Sequence, residues 1–177
     1  MSDDTVDRDK SSRANASQFF VAGELCRRGY AAVVTMGNTP NTDVLVSNKG
    51  GTRFVHIQVK TFVPGESKTC SVGVKSERDY GPNFFWVLAG IPTATSKRQD
   101  IEYFVIPSAD MAMNVKTRHL KWLGTKGKKG QDHKQNAIRA VNVCGKPHEW
   151  FWSVDQYRGE QGWKRITDIL DGVAPAT

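Results

Sequence analysis

The chain has 177 residues, a formal net charge of +7 at neutral pH and a sequence pI near 9.4, a balance that favours a polyanionic partner. This length suits one domain, and a hydrophobic content of 38% can form a core, which excludes wholesale disorder. No apolar run approaches the ~18 residues of a membrane-spanning helix, and the acidic, polar start does not resemble a signal peptide.

The three cysteines, Cys26, Cys70 and Cys144, are widely spaced and form no Cys-x-x-Cys pair. The histidines do not cluster with them at the spacing of a zinc site. We therefore expect three reduced thiols in a cytoplasmic protein.

The first part of the chain predicts a lead-in, a helix and three strands. Residues 1–11 are charged and lack apolar periodicity, which predicts a disordered segment. A stripe of apolar residues predicts a helix over 12–28 that ends at Gly29. Strands are predicted over 30–36, 42–47 and 53–62, the last two forming a hairpin.

The second part alternates strands and helices. Strands are predicted over 69–75, 84–91, 102–106 and 137–143, and helices over 108–122 and 154–170. The run 84–91 is apolar throughout, so we expect it in the interior of the sheet. This order predicts one α/β domain over 12–177, with a central mixed β-sheet flanked by helices.

The second hairpin strand alternates between two kinds of side chain. Its apolar residues, Val55, Ile57 and Val59, are expected on one face and its polar residues on the other. A turn centred on Lys49-Gly50 would place Asp43 opposite His56 and diagonally beside Gln58. Diagonal neighbours lie ~7–8 Å apart, so both side chains can reach one ion.

These residues offer the chemistry of a hard-cation site. Asp43 can supply a carboxylate oxygen, Gln58 an amide oxygen and Val59 its carbonyl oxygen, which are ligands that Mg²⁺ accepts. Lys60 extends over the same face as Gln58. Beside a metal, a lysine can orient or help deprotonate a water and offset charge on a phosphate.

The arrangement of Asp43 followed by Gln58-Val59-Lys60 resembles the PD-(D/E)XK nuclease superfamily, in its Gln-x-Lys variant. The similarity covers roughly residues 12–110. It implies a restriction-endonuclease-like core of order αβββαβ and a Mg²⁺- or Mn²⁺-dependent endonuclease that hydrolyses DNA. Asp43, Gln58 and Lys60 would then be catalytic, with Asp43, Gln58 and Val59 as metal ligands.

The superfamily also places a metal-binding glutamate on its first helix. Here Gln18 shares the apolar stripe that faces the sheet, so it fits that position by geometry. Glu24 fits it by residue type alone, since it lies about 240° further around the helix. The alternative role for Glu24 is an ion pair with Arg28 on the next turn.

Other interpretations of these residues stay open. Asp43 can cap a turn, Lys60 can be a solvated strand charge, and His56 can contact phosphate or be a polar neighbour. With glutamine at 18 and 58, Asp43 is the single carboxylate of the predicted site. The chain can therefore also be a nucleic-acid-binding module that does not cleave, or a homodimer or interaction subunit of a larger defence or repair complex.

A basic segment between residues 116 and 139 contains one acid, Asp132, and is spaced by glycines. Its basic residues are Lys116, Arg118, Lys121, Lys126, Lys128, Lys129, Lys134 and Arg139. We expect a mobile cationic loop over 123–137 that binds the phosphate backbone of DNA. The alternative is a surface loop that serves solubility.

Overall fold

The computed structural model describes residues 4–36, 39–144 and 152–173. Three helices and seven strands occur in chain order: α1 (Asp4–Arg27), β1 (Ala31–Val34), β2 (Val44–Ser47), β3 (Phe54–Phe62), β4 (Thr69–Ser71), β5 (Phe84–Gly90), β6 (Glu102–Pro107), α2 (Ser108–Leu123), β7 (Ala140–Asn142) and α3 (Gly159–Asp171). In the described ranges, no helix is long and apolar enough to cross a membrane.

The central sheet has five strands in the order β1-β2-β3-β5-β6. The first three form an antiparallel meander, β5 runs parallel to β3, and β6 returns antiparallel to β5. This confirms the predicted α/β domain with a mixed sheet. The strands β4 and β7 pair in a separate two-stranded sheet, which the sequence pattern did not indicate.

Helices and the small sheet cover the two faces of the central sheet. On one face, Val21 and Leu25 of α1 pack with Trp163 and Ile166 of α3 against the sheet. On the other face, Met111 of α2 belongs to a second core cluster together with residues of β4 and β7. Because both faces are covered, every residue of β5 is buried, as its apolar run predicts.

Several predicted boundaries were wrong, among them the start of β7, which is Ala140 instead of residue 137. Helix α1 begins at Asp4, so residues 4–11 are helical instead of disordered; this stretch contains no glycine or proline that would break a helix. The strand predicted over 69–75 ends at Ser71, because Gly73 has a left-handed φ of 72° that leads into a 3₁₀ turn over Val74–Glu77. The last helix begins at Gly159, after another 3₁₀ turn.

The register of the β2–β3 hairpin differs from the predicted one by two residues. Leu45, and not Asp43, pairs with His56, and Val44 pairs with Ile57. Asp43 lies just outside the paired residues, and its nitrogen donates to the carbonyl of Ile57, the residue that pairs with Val44. The Asp43 carboxylate accepts a hydrogen bond from Gln58 Nε2, so the two side chains are in direct contact instead of being diagonal neighbours.

The turn residues explain this register. Asn48 accepts hydrogen bonds through Oδ1 from the backbone nitrogens of Thr52 at 2.9 Å and Arg53 at 3.2 Å. The Asn48 nitrogen in turn donates to the Arg53 carbonyl, which closes a four-residue loop over 49–52. Gly51 adopts a φ of 63° in that loop. The turn therefore centres one residue later than Lys49-Gly50.

Candidate metal and phosphate cleft

The cleft forms where β3 is longer than its neighbour β2. Since β2 begins at Val44, the end of β3 has no β2 residue beside it, and an open cleft of about 540 Å³ lies along this edge. Helix α1 forms one wall and β4 another. The lining residues are Lys10, Arg13, Ala14, Gln18, Asp43, Gln58, Val59, Lys60, Thr61, Phe62, Val63, Ser67, Thr69 and Ser71.

Asp43 is fixed at the start of β2 by its backbone and its side chain. Its nitrogen donates to the Ile57 carbonyl at 2.8 Å, and its carbonyl accepts from the Thr35 nitrogen at 2.9 Å. Its Oδ2 accepts hydrogen bonds from the Val59 nitrogen at 2.7 Å and from Gln58 Nε2. The carboxylate thus contacts β3 instead of capping the turn that precedes it.

The Val59 carbonyl also points into the cleft. In a β-strand the N–H and C=O groups of one residue point to the same side of the strand. The Val59 N–H donates to Asp43, whereas the Phe62 carbonyl points the other way and accepts from Ile91 at 3.0 Å. The oxygen that the sequence predicts as a metal ligand therefore lies on the open edge of β3.

Burial raises the pKa of Asp43 above its ordinary value of 3.8. The Val59 N–H, the positive charge of Lys60 and the Gln58 amide all oppose that rise, since each stabilises the charged form. The Asp43 carboxylate is thus a partly desolvated anion with a cation nearby. Lys60 itself is half-buried and lines the cleft.

Helix α1 brings Gln18 into the cleft. The neighbouring residue, Ser17, is 1% exposed, and its hydroxyl lies 2.8 Å from the Thr61 hydroxyl of β3 and donates to the Ala14 carbonyl at 2.6 Å. This contact fixes α1 against the end of β3. The predicted placement of Gln18, on the side of the helix that faces the sheet, agrees with the structure.

Glu24 does not line the cleft. Its carboxylate accepts hydrogen bonds from Arg27 and Arg28, each at 2.8 Å, and these bonds lower its pKa. The predicted ion pair between Glu24 and Arg28 is therefore present. His56 is exposed, with Nδ1 3.3 Å from the Thr42 hydroxyl, and it is not among the lining residues either.

Several lining residues were missed from the sequence. Lys10 and Arg13 bring two further cations into the cleft, and Thr69 and Ser71 bring two exposed hydroxyl groups from β4. The signal for Lys10 and Arg13 was their spacing from Ala14 and Gln18, which continues one side of α1. The interpretation of residues 1–11 as disordered concealed Lys10, whereas Arg13 lay inside the predicted helix and was given no role.

The oxygen donors in the cleft fit one hard cation. Asp43, the Val59 carbonyl and the Gln58 amide oxygen are hard ligands, and Mg²⁺ is often held by one or two carboxylates together with substrate phosphate. Within the described ranges, no three His, Cys, Asp or Glu side chains group to hold a metal ion. Binding at Asp43 would therefore depend on oxygens that a phosphate ligand contributes.

The basic segment is less uniform than its sequence predicts. Arg139 is 3% exposed and donates a hydrogen bond to the Glu77 carboxylate, so it does not belong to a phosphate-binding surface. Arg118 is half-buried, and burial together with the charge of Arg139 lowers its pKa. The segment's lysines are exposed: Lys116, Lys121, Lys126, Lys128, Lys129 and Lys134.

Side-chain contacts hold this segment against α2. The Trp122 ring stacks on His119 at 5.5 Å and on His133 at 4.1 Å between ring centroids. Lys126 and Asp132 form an ion pair at 2.5 Å. None of the cleft-lining residues belongs to 116–139, but the segment leads into β7, whose partner β4 lines the cleft.

Comparison of the chain with protein-family models, with curated proteins and with solved structures finds no match.

Proposed function

We propose that the protein is a metal-dependent nuclease that hydrolyses DNA phosphodiester bonds, built on the restriction-endonuclease-like core of the PD-(D/E)XK superfamily. One observation carries the proposal: three separate parts of the chain line one open cleft, namely Gln18 of α1, Asp43 before β2, and Gln58, Val59 and Lys60 of β3. Mg²⁺ or Mn²⁺ is the cofactor class that this donor set favours.

In this proposal each residue has a separate task. A bound divalent cation supplies Lewis-acid polarisation of the phosphoryl group. Asp43 and the Val59 carbonyl hold that cation, and the Asp43–Gln58 hydrogen bond orients the carboxylate. The Lys60 ammonium orients the attacking water and offsets the negative charge that grows on the phosphate.

The reaction is a simple displacement at phosphorus. The water oxygen forms a new bond to phosphorus and one ester P–O bond breaks. The attacking water gives a proton to solvent, and the leaving oxygen takes one up. The products are a phosphomonoester and a free hydroxyl group.

A second candidate function is nucleic-acid binding without cleavage. Asp43 is the single acidic residue among the described residues that line the cleft, and three basic residues line it as well. A lone carboxylate whose pKa is raised by burial binds a cation weakly. This balance of charge favours a site that holds phosphate and leaves the bond intact.

Cleavage of plasmid and branched DNA, with Mg²⁺, with Mn²⁺ and without metal, tests the proposal. Metal-dependent nicking that Lys60→Ala abolishes and Lys97→Ala retains is the expected result, since Lys97 is an exposed lysine outside the cleft. Binding of labelled DNA with no cleavage under any condition would overturn hydrolysis and support the second candidate. Absence of both binding and cleavage would overturn both candidates.

A further inference from the structure

Helix α1 carries positive charge into the cleft beyond the residues of the proposed reaction. Lys10 and Arg13 line the cleft together with Gln18, and Lys60 approaches from β3. Asp43 is the single opposing carboxylate among the described lining residues. Among the described lining residues, basic side chains therefore outnumber carboxylates, which suits a polyanion.

The spacing along the helix matches a strand of nucleic acid. Lys10 precedes Gln18 by eight residues, which is about 12 Å at ~1.5 Å per residue. Arg13 precedes it by five, or about 7.5 Å. For a strand that runs along α1, with one phosphate per ~3.4 Å of axis, Arg13 lies about two phosphates and Lys10 about three to four phosphates from the Gln18 position.

The opposite wall of the cleft, formed by β4, offers neutral hydrogen-bond donors to the same nucleic-acid strand. Thr69 and Ser71 are alternate residues of β4, and both side chains are exposed and line the cleft. Hydroxyl groups commonly donate to phosphate oxygens in nucleic-acid complexes. The single aromatic residue among the described lining residues is Phe62, which is 4% exposed, so the cleft has no platform on which a base could stack.

We propose that Lys10 and Arg13 of α1 bind the phosphates that flank the one at Lys60, so that the ligand is a polynucleotide strand of at least about four nucleotides. Recognition is through the backbone and does not depend on base sequence. The identification of the strand's central phosphate as a scissile one rests on the proposed function. The binding of flanking phosphates does not.

A length series of labelled single-stranded oligonucleotides, from two to twelve nucleotides, tests this inference in metal-free buffer. The variant is Lys10→Ala/Arg13→Ala, and alanine preserves helix propensity at both sites. The matched control is Lys75→Ala/Lys97→Ala, which removes the same charge from two exposed lysines outside the cleft. Far-UV circular dichroism checks that both variants are folded.

For the wild type, the affinity for the oligonucleotide should rise steeply with its length until it spans both Lys10 and Arg13. The Lys10→Ala/Arg13→Ala variant should lose that rise, and the control variant should keep it. Two lost contacts at ~0.7 each make the salt dependence shallower, so that between 50 and 200 mM salt the wild type weakens about sevenfold more than the variant. Equal length and salt dependence in the wild type and the α1 variant would overturn the inference.

A second measurement separates this inference from the proposed function. Hydrolysis of bis(p-nitrophenyl) phosphate, which has one phosphodiester, should be insensitive to Lys10→Ala/Arg13→Ala, whereas KM for a long oligonucleotide should rise. Length-dependent binding without any hydrolysis would retain the inference and reject the nuclease. Hydrolysis of both substrates with unchanged KM in the variant would retain the nuclease and reject the inference.

Discussion

The backbone nitrogen of Val59 donates a 2.7 Å hydrogen bond to Oδ2 of Asp43. The carboxylate occupies the position of the backbone carbonyl that would accept this bond if β2 began before Val44 and paired with this end of β3. A side chain thus replaces a backbone partner at the end of a β-ladder. The same replacement holds the carboxylate beside the Val59 carbonyl, so sheet pairing and the candidate metal site depend on one residue.

Substitution of Asp43 should therefore affect both stability and activity. Asp43→Ala leaves the backbone N–H of the buried residue Val59 without its acceptor and should lower the free energy of unfolding by about 1–3 kcal/mol. Asp43→Asn keeps an acceptor and should lose less. Both variants should remain folded and lose metal-dependent cleavage, which urea denaturation and plasmid assays measure. Wild-type cleavage by Asp43→Ala would contradict the site assignment.

The raised pKa of Asp43 predicts a pH-dependent difference in stability. The folded protein takes up a proton at Asp43 at a higher pH than the unfolded chain, where the pKa is near 3.8. Relative to Asp43→Asn, the wild type should therefore become more stable as pH falls through the folded-state pKa, and the gain is complete below 3.8. Urea denaturation of both proteins between pH 7 and pH 3.5 measures it.

The opposite trend would show that hydrogen bonds to Asp43 outweigh its burial. In that case the wild type would lose stability relative to Asp43→Asn on acidification, because its folded-state pKa would lie below that of the unfolded chain.

Additional carboxylates in the cleft should strengthen metal binding. Gln58→Glu and Gln18→Glu each add a negative charge among the lining residues, so calorimetry should detect tighter Mg²⁺ or Mn²⁺ binding. Glu24→Gln is the control: it weakens the ion pairs of a half-buried carboxylate with Arg27 and Arg28, which should lower the free energy of unfolding by about 1–3 kcal/mol and leave metal affinity unchanged. Loss of metal affinity in Glu24→Gln alone would assign the ligand to Glu24.

The parts of the fold that the sequence predicted well are those with a local pattern. The alternation of β3 predicted its two faces, and the apolar run of β5 predicted an interior strand. The residues Asp43, Gln58 and Lys60 were found because they lie on one hairpin, only a short loop apart. A period of two fixes the face of each residue even when the register is wrong by two.

The features that were missed depend on contacts between distant residues. In the sequence, Arg139 is one of the eight basic residues of segment 116–139, and its partner Glu77 lies 62 residues away. The register of the hairpin follows from hydrogen bonds of the Asn48 side chain, which turn composition alone does not predict. The start of α1 has no apolar stripe, so its helical state and the place of Lys10 in the cleft were not apparent.

The three thiols should differ in reactivity. Cys70 is 1% exposed and burial raises its pKa to about 12, whereas Cys26 and Cys144 are exposed. Because the thiolate is the reactive form, a maleimide at pH 8 should label two thiols quickly and Cys70 only on unfolding. Mass spectrometry of the labelled native protein measures this. Rapid labelling of Cys70 would mean that β4, with Thr69 and Ser71, opens away from the cleft.

The basic segment should divide into a phosphate-binding part and a structural part. Replacing the exposed residues Lys126, Lys128 and Lys129 by alanine should leave stability almost unchanged and make the salt dependence of duplex binding shallower by up to ~3 units, at about 0.9 per contact. Arg139→Ala should instead lower the free energy of unfolding by about 3 kcal/mol, the lower end for a buried pair, because Glu77 is 24% exposed. Fluorescence anisotropy at several salt concentrations and urea denaturation measure the two effects.

If Arg139→Ala weakened DNA binding as much as the triple variant and left stability unchanged, Arg139 would belong to the phosphate-binding surface after all. If the triple variant bound DNA with unaltered affinity and salt slope, the lysines would serve solubility, and the cleft cations Lys10, Arg13 and Lys60 would carry the attraction to nucleic acid.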